Sequence, residues 1–128
     1  VYDPRVEVPD LFRFEEHYEA PRGAFFVVRE ADLIVGSVGV ERVDGETAEL
    51  HRLYLDARLR GRGTGRALVQ AALAWCRSEG VTRMILWSDT RFDQAHRLYT
   101  RMGFSQTGER TLPEDLNQTR EYGFERPV

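Results

Sequence analysis

A turn rich in glycine and arginine joins a strand-like segment to a helix-like segment, and it constrains this chain more than any other feature. The chain reads ELHRLYLDARLRGRGTG from Glu49 to Gly65, and helical apolar spacing follows from Thr64 to Glu79. The first N–H groups of a helix have no acceptor within the helix, and the helix dipole is positive at that end. The turn therefore predicts an anion-binding site, and a diphosphate suits it.

The residues of the turn are themselves suited to an anion. Its glycines can adopt positive φ and have no Cβ, so the backbone can curve around an anion and contact its oxygens. Arginines flank the turn and also occupy the first helical turn, where the dipole alone favours acidic residues. The expected anion-binding residues are Arg60, Gly61, Arg62, Gly63, Thr64, Gly65 and Arg66.

Two common phosphate-binding motifs do not match this turn. A P-loop requires Gly-x-x-x-x-Gly-Lys-Ser/Thr, and the chain contains no lysine. A Gly-x-Gly-x-x-Gly motif that begins at Gly61 fails because Arg66 stands at the third glycine position. The remaining pattern, Arg60-x-x-Gly63-x-Gly65, resembles the Arg/Gln-x-x-Gly-x-Gly/Ala acetyl-CoA signature of the GNAT superfamily of N-acetyltransferases. Taken alone, these residues could also form an ordinary surface turn.

A second motif downstream favours the same family. The segment from Ala95 to Phe104 reads AHRLYTRMGF and resembles a GNAT signature in which a helix ending Tyr-x-x-x-Gly-Phe precedes a strand. The two motifs occur in the family's order and approximate spacing. The resemblance implies an acyl-CoA N-acyltransferase fold, acetyl-CoA as co-substrate, a primary amine as acceptor, and no metal.

The family resemblance also implies a place for the cofactor. In GNAT proteins, the strand before the glycine turn diverges from the parallel strand after the helix, and the pantetheine arm enters the gap. By this resemblance the backbone of Leu53, Tyr54 and Leu55 would pair with pantetheine. The Leu55 N–H would lie near the thioester carbonyl and stabilise an oxyanion there.

Tyr99 matches the tyrosine of the second signature and is the first candidate for catalysis. A hydroxyl near the sulfur can hydrogen-bond or protonate the departing thiolate. Free tyrosine titrates near ~10 and a thiol near ~8.5, so full proton transfer is uphill by about 2 kcal/mol. Alternatively, Ala95, Leu98, Tyr99 and Met102 form a helical stripe that belongs to the core.

A general base is needed because an alkyl amine, with a pKa near ~10.4, is protonated at neutral pH. Glu49 is the first candidate, since it lies eleven residues before Arg60, the offset of the catalytic glutamate in the histone-acetyltransferase branch of the family. His51, two residues on, would share its face of the strand, and Glu41 is the third candidate. The alternative for Glu49 is a solvated surface charge.

One position departs from the family pattern. Phe92 stands where many members have an asparagine that contacts pantetheine, seven residues before the tyrosine. We expect Ser88, Thr90 or Asp93 to replace that contact, while Phe92 and Ala95 remain candidates to line the cofactor site.

The cysteine and the remaining histidines are interpreted as structural and not as functional residues. Cys76 is expected to pack in the core among the apolar residues of its helix. His17 and His96 are expected on exposed helix faces, too far apart in sequence to suggest a metal site.

Periodicity predicts an α/β fold with a mixed sheet, in which antiparallel strands are followed by a parallel β-α-β crossover. Helices are predicted at Pro9–Tyr18, Thr64–Glu79 and Phe92–Met102; strands at Ala24–Arg29, Leu33–Arg42, Thr47–Leu55, Thr82–Trp87, Ser105–Thr111 and Arg120–Glu125. Tight turns are expected at Ala31-Asp32 and at the Asp44-Gly45 hairpin, and glycines end the later helices. GNAT domains usually open with a strand and a helix, so we expect the N-terminal elements to be shortened or missing.

Composition limits the function classes. A net charge of −3 over 128 residues argues against general binding to nucleic acid or membranes. No segment has the length of a membrane span or the pattern of a signal peptide, and the single Cys76 cannot form an internal disulfide. We therefore expect one cytoplasmic domain over residues 1–128. Arginine as the only long cationic residue type suggests a GC-rich bacterial source, and a homodimer is possible.

The identity of the acceptor is the part of the function that the sequence specifies least. It would be shaped by the segment before Ala24 and by the loop Leu112–Gln118, in which Glu114 and Asp115 could attract a cationic amine. Two other functions compete with acetyl transfer. One is a catalytically inactive CoA-binding sensor or regulatory module, and the other is a binder of a phosphate compound other than CoA.

Overall fold

The computed structural model describes residues 10–14, 22–112 and 118–128, the first of these ranges by its backbone. Seven strands in these ranges form one mixed sheet in the order β1-β2-β3-β4-β5-β7-β6. The strands are β1 (Asp10–Phe14), β2 (Gly23–Glu30), β3 (Leu33–Arg42), β4 (Thr47–Leu55), β5 (Arg83–Asp89), β6 (Ser105–Thr111) and β7 (Arg120–Pro127); the helices are α1 (Thr64–Ser78) and α2 (Asp93–Arg101), with a 3-10 turn at Ala57–Leu59.

Both helices pack on one face of the sheet. The apolar stripe of α1, which includes Leu68, Val69 and Ala72, lies against valines of β2 and β3 and forms one buried cluster with them. On α2, Tyr99 packs its ring against Phe104 and against Phe124 of β7. Side chains alternate between the two faces along a strand. In β4 and in β5, the residues that separate successive core positions therefore lie on the face opposite the helices. Neither helix is long and apolar enough to cross a membrane, among the residues described.

Most predicted elements are confirmed to within two residues at each end, but the first is wrong. Asp10–Phe14, predicted to begin a helix at Pro9–Tyr18, is strand β1 and pairs antiparallel with β2, with Phe14 opposite Phe25. The apolar residues of this segment fit either period, and pairing with an adjacent strand decides between them. The chain therefore has a strand before β2. The rest of that predicted helix lies outside the described residues.

The parallel crossover is confirmed, and its two strands diverge. Pairing between β4 and β5 runs from Thr47 opposite Arg83 to Leu50 opposite Leu86. Beyond these pairs, β4 continues for five residues to Leu55 and β5 for three residues to Asp89. The gap that opens between the two strands, beyond Leu50 and Leu86, is called the splay below.

A bulge in β4 lies at the start of the splay. The register with β3 shifts between Gly39, which opposes His51, and Ser37, which opposes Tyr54. Within this extra residue step, Arg52 adopts φ of 57°, unusual for a residue with a side chain, and its carbonyl accepts a hydrogen bond from Ser37 Oγ at 3.1 Å. Because a bulge bends its strand, this feature accounts for the departure of β4 from β5.

Candidate active site

The glycine turn joins the splay to α1. Gly61 and Gly63 have φ of 79° and 80°, in the left-handed region where glycine is favoured, and Gly63 caps α1. Gly65 is not among the positive-φ residues, because it lies inside the first turn of α1. Gly65 matters because the space beside its Cα is occupied by neighbouring side chains. A Cβ built on Gly65 would lie 3.3 Å from Leu98 Cδ2 and 3.7 Å from Leu55 Cδ2, so the end of β4, the start of α1 and α2 meet there.

The start of α1 presents backbone donors that the described residues do not use. The amides of Gly61, Gly63, Thr64, Gly65 and Arg66 donate no hydrogen bond to them, and the first helical bond is from Ala67 N to Gly63 O at 3.0 Å. The Thr64 hydroxyl is fully buried and also has no partner. Unsatisfied donors together with an orphaned hydroxyl at a helix N-terminus fit an anionic group.

The arginines of the turn divide into two kinds. Arg58 lies in the 3-10 turn and is used structurally, with Nε 3.2 Å from Asp56 Oδ1 and an amino group 3.5 Å from Glu30 Oε1. Its backbone N–H and then its side chain lower the pKa of Asp56. In contrast, the side chains of Arg60, Arg62 and Arg66 are exposed and make no hydrogen bond or ion pair with any described residue. In sequence, these three arginines alternate with the residues whose amides are unsatisfied.

At the splay, the backbone of Leu55 is turned toward the gap. Leu55 lies opposite Gly36 of β3, and the next hydrogen bond runs from Asp56 N to Val35 O at 2.8 Å. This spacing makes Leu55 and Gly36 a pair without mutual hydrogen bonds, so the N–H and C=O of Leu55 point away from β3 and toward β5. Leu53 and Leu55 are partly buried against the core, whereas the Tyr54 side chain is half exposed.

Tyr99 is buried in α2, with only 4% of its surface exposed. Burial raises the pKa of Tyr99 to about 12. Its hydroxyl makes no hydrogen bond with a described residue, while its ring packs in the core. The neighbouring Leu98 contacts Gly65 and Ala95 packs on the same core, which places this stripe of α2 beside the start of α1.

The candidate bases lie on the face of the sheet opposite the helices. Glu49 is half-buried and lies directly between Glu41 of β3 and Ile85 of β5 in the strand register. His51 follows on the same face, and its Nε2 lies 3.7 Å from Glu41 Oε1. Two carboxylates directly opposite each other on one face are unfavourable in a sheet. The three predicted bases therefore form one cluster, and Glu49 is its member nearest to β5.

His96 is not on an exposed helix face, contrary to the prediction. It is half-buried, its ring centroid lies 5.5 Å from that of Tyr122 and 5.3 Å from that of Phe124, and Nε2 lies 3.1 Å from Ser88 Oγ. His96 lies three residues before Tyr99 on the same side of α2, which was the signal in the sequence for its burial. It also borders a groove of about 480 Å³ between α2 and β6, which is separate from the splay.

Among the proposed substitutes for the missing asparagine contact, Ser88 has the most suitable place. It follows Leu86 by two residues on the helix side of β5, is 7% exposed, and lies beyond the last pair with β4. Phe92 itself is 58% exposed at the start of α2. Cys76 packs in the core as expected, and burial raises the pKa of its thiol to about 11. His17, Glu114 and Asp115 lie outside the described residues.

Replacing Gly65 with valine is expected to destabilise the protein by about 1–3 kcal/mol, because the added methyl groups would overlap Leu98 and Leu55. Urea unfolding measures the change. Gly108→Val is the matched control, since a Cβ built on Gly108 meets nothing within 4 Å and valine suits a strand. Equal stability of the two variants would show that Gly65 is not a close contact.

Comparison with known proteins identifies the family. The family model described as the Acetyltransferase (GNAT) family matches residues 2–104. The chain belongs to the GNAT family of acetyltransferases. The resemblance read from the two motifs is thereby confirmed, and the divergent parallel strands are those expected of this GNAT domain.

Relatives and solved structures agree with this assignment. The GNAT domain is 34% identical over 106 residues to human N-acetyltransferase 8, covering 78% of this chain and 47% of that protein. It is 32% identical to an uncharacterized N-acetyltransferase of Mycobacterium tuberculosis, covering 91% and 74%. The chain thus spans about half the length of the human relative. A GNAT acetyltransferase from Elizabethkingia anophelis with acetyl-CoA bound shares the fold, with a TM-score of 0.75 at 13% identity, covering 93% of this chain and 97% of that one.

Proposed function

We propose that this GNAT domain transfers an acetyl group from acetyl-CoA to a primary amine, by direct attack of the amine within a ternary complex. The observation that carries the proposal is the Leu55 N–H, which points into the gap between two diverging strands. A backbone donor fixed at that point can hydrogen-bond the thioester oxygen as it gains negative charge. The fold supplies this donor without any rearrangement.

The residues at the start of α1 fit the pyrophosphate of CoA. The unsatisfied amides of Gly61, Gly63, Thr64, Gly65 and Arg66 and the buried Thr64 hydroxyl would donate hydrogen bonds to its oxygens, and the side chains of Arg60, Arg62 and Arg66 would balance its charge. From that point the pantetheine arm would follow β4 along Leu53, Tyr54 and Leu55. Ser88, Phe92 and Ala95 would line the opposite side. Acetyl-CoA supplies the activated thioester, and the chain supplies orientation and hydrogen bonds.

Two side chains are proposed to act on the reacting groups. Glu49, half-buried on the face opposite the helices, takes a proton from the amine. Tyr99 hydrogen-bonds the departing sulfur. With a pKa of about 12, its hydroxyl is about 3.5 units weaker as an acid than a thiol, so full proton transfer would cost roughly 5 kcal/mol. The proposed role of Tyr99 is therefore hydrogen-bond donation and not proton donation.

Calorimetry with acetyl-CoA, followed by a thiol-release assay with a panel of amines, tests this function. We expect saturable binding to acetyl-CoA and amine-dependent release of CoA. Binding without release for any alkyl amine, aralkyl amine, polyamine, aminoglycoside or peptide N-terminus would favour the inactive CoA-binding module. No binding of acetyl-CoA would overturn the proposal and leave a site for another phosphate compound.

Replacing Tyr99 with phenylalanine is expected to lower kcat roughly 10- to 100-fold, the value of one hydrogen bond to a charged group, with little change in KM for acetyl-CoA. Because Tyr99 stays protonated up to a pH of about 12, the pH profile between pH 7 and 10 should keep its shape. Steady-state kinetics across that range measure both effects. Tyr122→Phe, which removes the same atom from a half-buried ring beside His96, is the control. An alkaline limb that disappears only in Tyr99→Phe would mean that Tyr99 titrates during catalysis.

A further inference from the structure

On the face of the sheet opposite the helices, the surface where β4 and β5 begin to diverge is called the trough below. Its floor is the half-buried cross-strand pair of Glu49 on β4 and Ile85 on β5. The next residues on this face are His51 and Trp87, where the two strands no longer pair. The helix side of the splay is where the pantetheine arm is proposed to lie, beside Leu55 and Ser88, so an acceptor would reach the thioester from this trough.

The two aromatic side chains that border the trough lean away from each other, each over a glycine of the next strand outward. A Cβ built on Gly39 of β3 would lie 3.1 Å from Cε1 and Nδ1 of His51. A Cβ built on Gly123 of β7 would lie 2.7 Å from Oγ1 of Thr107, and 3.1 and 3.2 Å from Cζ3 and Cη2 of Trp87. Any larger residue at either glycine would push the ring back toward the trough. The two glycines therefore leave room for the rings to lie over the neighbouring strands.

Trp87 is held in this position by charged neighbours. The Arg110 guanidinium carbon lies 4.3 Å from the centroid of the indole, and Arg110 Nε donates to Glu121 Oε1 at 2.8 Å. Because Arg110 already contributes a cation to the indole, a second cation at the ring would be repelled. The surface that Trp87 offers to an acceptor is therefore suited to an uncharged, apolar group, while Glu49 in the floor and Glu41 beside it on β3 supply negative charge.

We propose that Trp87 selects the acceptor and that the preferred acceptor is a primary amine with an aromatic substituent. The ammonium group would lie toward Glu49, and the aromatic ring would lie against the indole. This inference rests on the proposed acetyl transfer for its chemistry, but the binding of an aralkyl amine to the trough can be measured separately.

The kinetic test compares 2-phenylethylamine with ethylamine. For 2-phenylethylamine, Trp87→Ala is expected to lower kcat/KM roughly 10- to 50-fold, mainly through KM, by loss of apolar contact and ring packing. For ethylamine the change should be less than about threefold, and KM for acetyl-CoA should stay the same, since the small amine cannot reach the indole. Trp87→Phe should restore most of the preference. Equal losses for both amines, or no loss for either, would overturn the proposal.

Fluorescence gives a second readout that needs no turnover. The chain has two tryptophans, and Trp75 is buried in the core while Trp87 borders the trough. We expect 2-phenylethylamine to change the emission of the wild-type protein and of Trp75→Phe, but not of Trp87→Phe. A response that persists in Trp87→Phe, or its absence from wild type, would contradict the inference. If acetyl-CoA does not bind but the Trp87 signal responds, the trough is an amine site and only the proposed acetyl transfer fails.

Discussion

Replacing Glu49 with glutamine is expected to lower kcat/KM for the acceptor amine roughly 100- to 1000-fold at pH 7, the usual contribution of a positioned general base. At that pH an alkyl amine with a pKa near ~10.4 is almost entirely protonated, so the reaction depends on a group that removes the proton. Near pH 10 much of the amine is already neutral, and the loss should shrink to about tenfold or less. Thiol-release kinetics between pH 7 and 10 measure this convergence, and KM for acetyl-CoA should not change.

Two further variants are needed to interpret the result for Glu49→Gln. Glu46→Gln removes the same charge from an exposed residue of the hairpin turn and should leave the rate unchanged. Glu41→Gln tests the carboxylate directly opposite Glu49, which also contacts His51. If Glu41→Gln loses more activity than Glu49→Gln, the base lies on β3. A loss in Glu49→Gln that is equal at every pH would indicate positioning of the amine instead of proton removal.

Local chemistry explains why most of the fold could be predicted. The Asp44 carboxylate accepts hydrogen bonds from the N–H groups of Glu46 and Thr47, as the Asp-Gly turn led us to expect, and Gly80 and Gly103 follow their helices with φ of 74° and 90°. Each of these features is determined by residues that are close together in the sequence. Strand β1 was mistaken for a helix because its partner, β2, supplies the hydrogen bonds that decide its conformation, and pairing is not visible in a short apolar segment.

The sequence predicts which residues belong to the candidate site, but it does not predict how they are arranged in space. The two motifs indicated the glycine turn and Tyr99 as candidates, since both are continuous in sequence. Three features of the site could not be predicted from the sequence, because each depends on contacts between segments that are distant in the chain. These are the bulge at Arg52 that opens the splay, the contact of Gly65 with Leu98, and the hydrogen bond between His96 and Ser88.

Replacing both Arg60 and Arg62 with glutamine is expected to weaken acetyl-CoA binding by about 2–3 kcal/mol, roughly 30- to 150-fold in Kd, because two exposed charge-assisted contacts to phosphate would be lost. Titration calorimetry measures the change. The salt dependence of binding should also fall, since exposed charges are screened more strongly as ionic strength rises. The effect should appear in affinity for the cofactor and not in kcat at saturating acetyl-CoA, because these side chains are proposed to contact the phosphates and not the thioester.

A second pair of arginines separates this local effect from one of net charge. Arg77 and Arg101 lie in the last turns of α1 and α2, are exposed, and carry the same total charge as Arg60 and Arg62. If the unsatisfied amides at the start of α1 mark the phosphate site, Arg77→Gln with Arg101→Gln should change Kd by less than about threefold, since neither residue belongs to the glycine turn. Equal losses in the two double variants would mean that acetyl-CoA is attracted by the overall charge of the domain. Loss only in the Arg60 and Arg62 variant would assign the phosphates to the turn, because the two proteins would differ in position of charge alone.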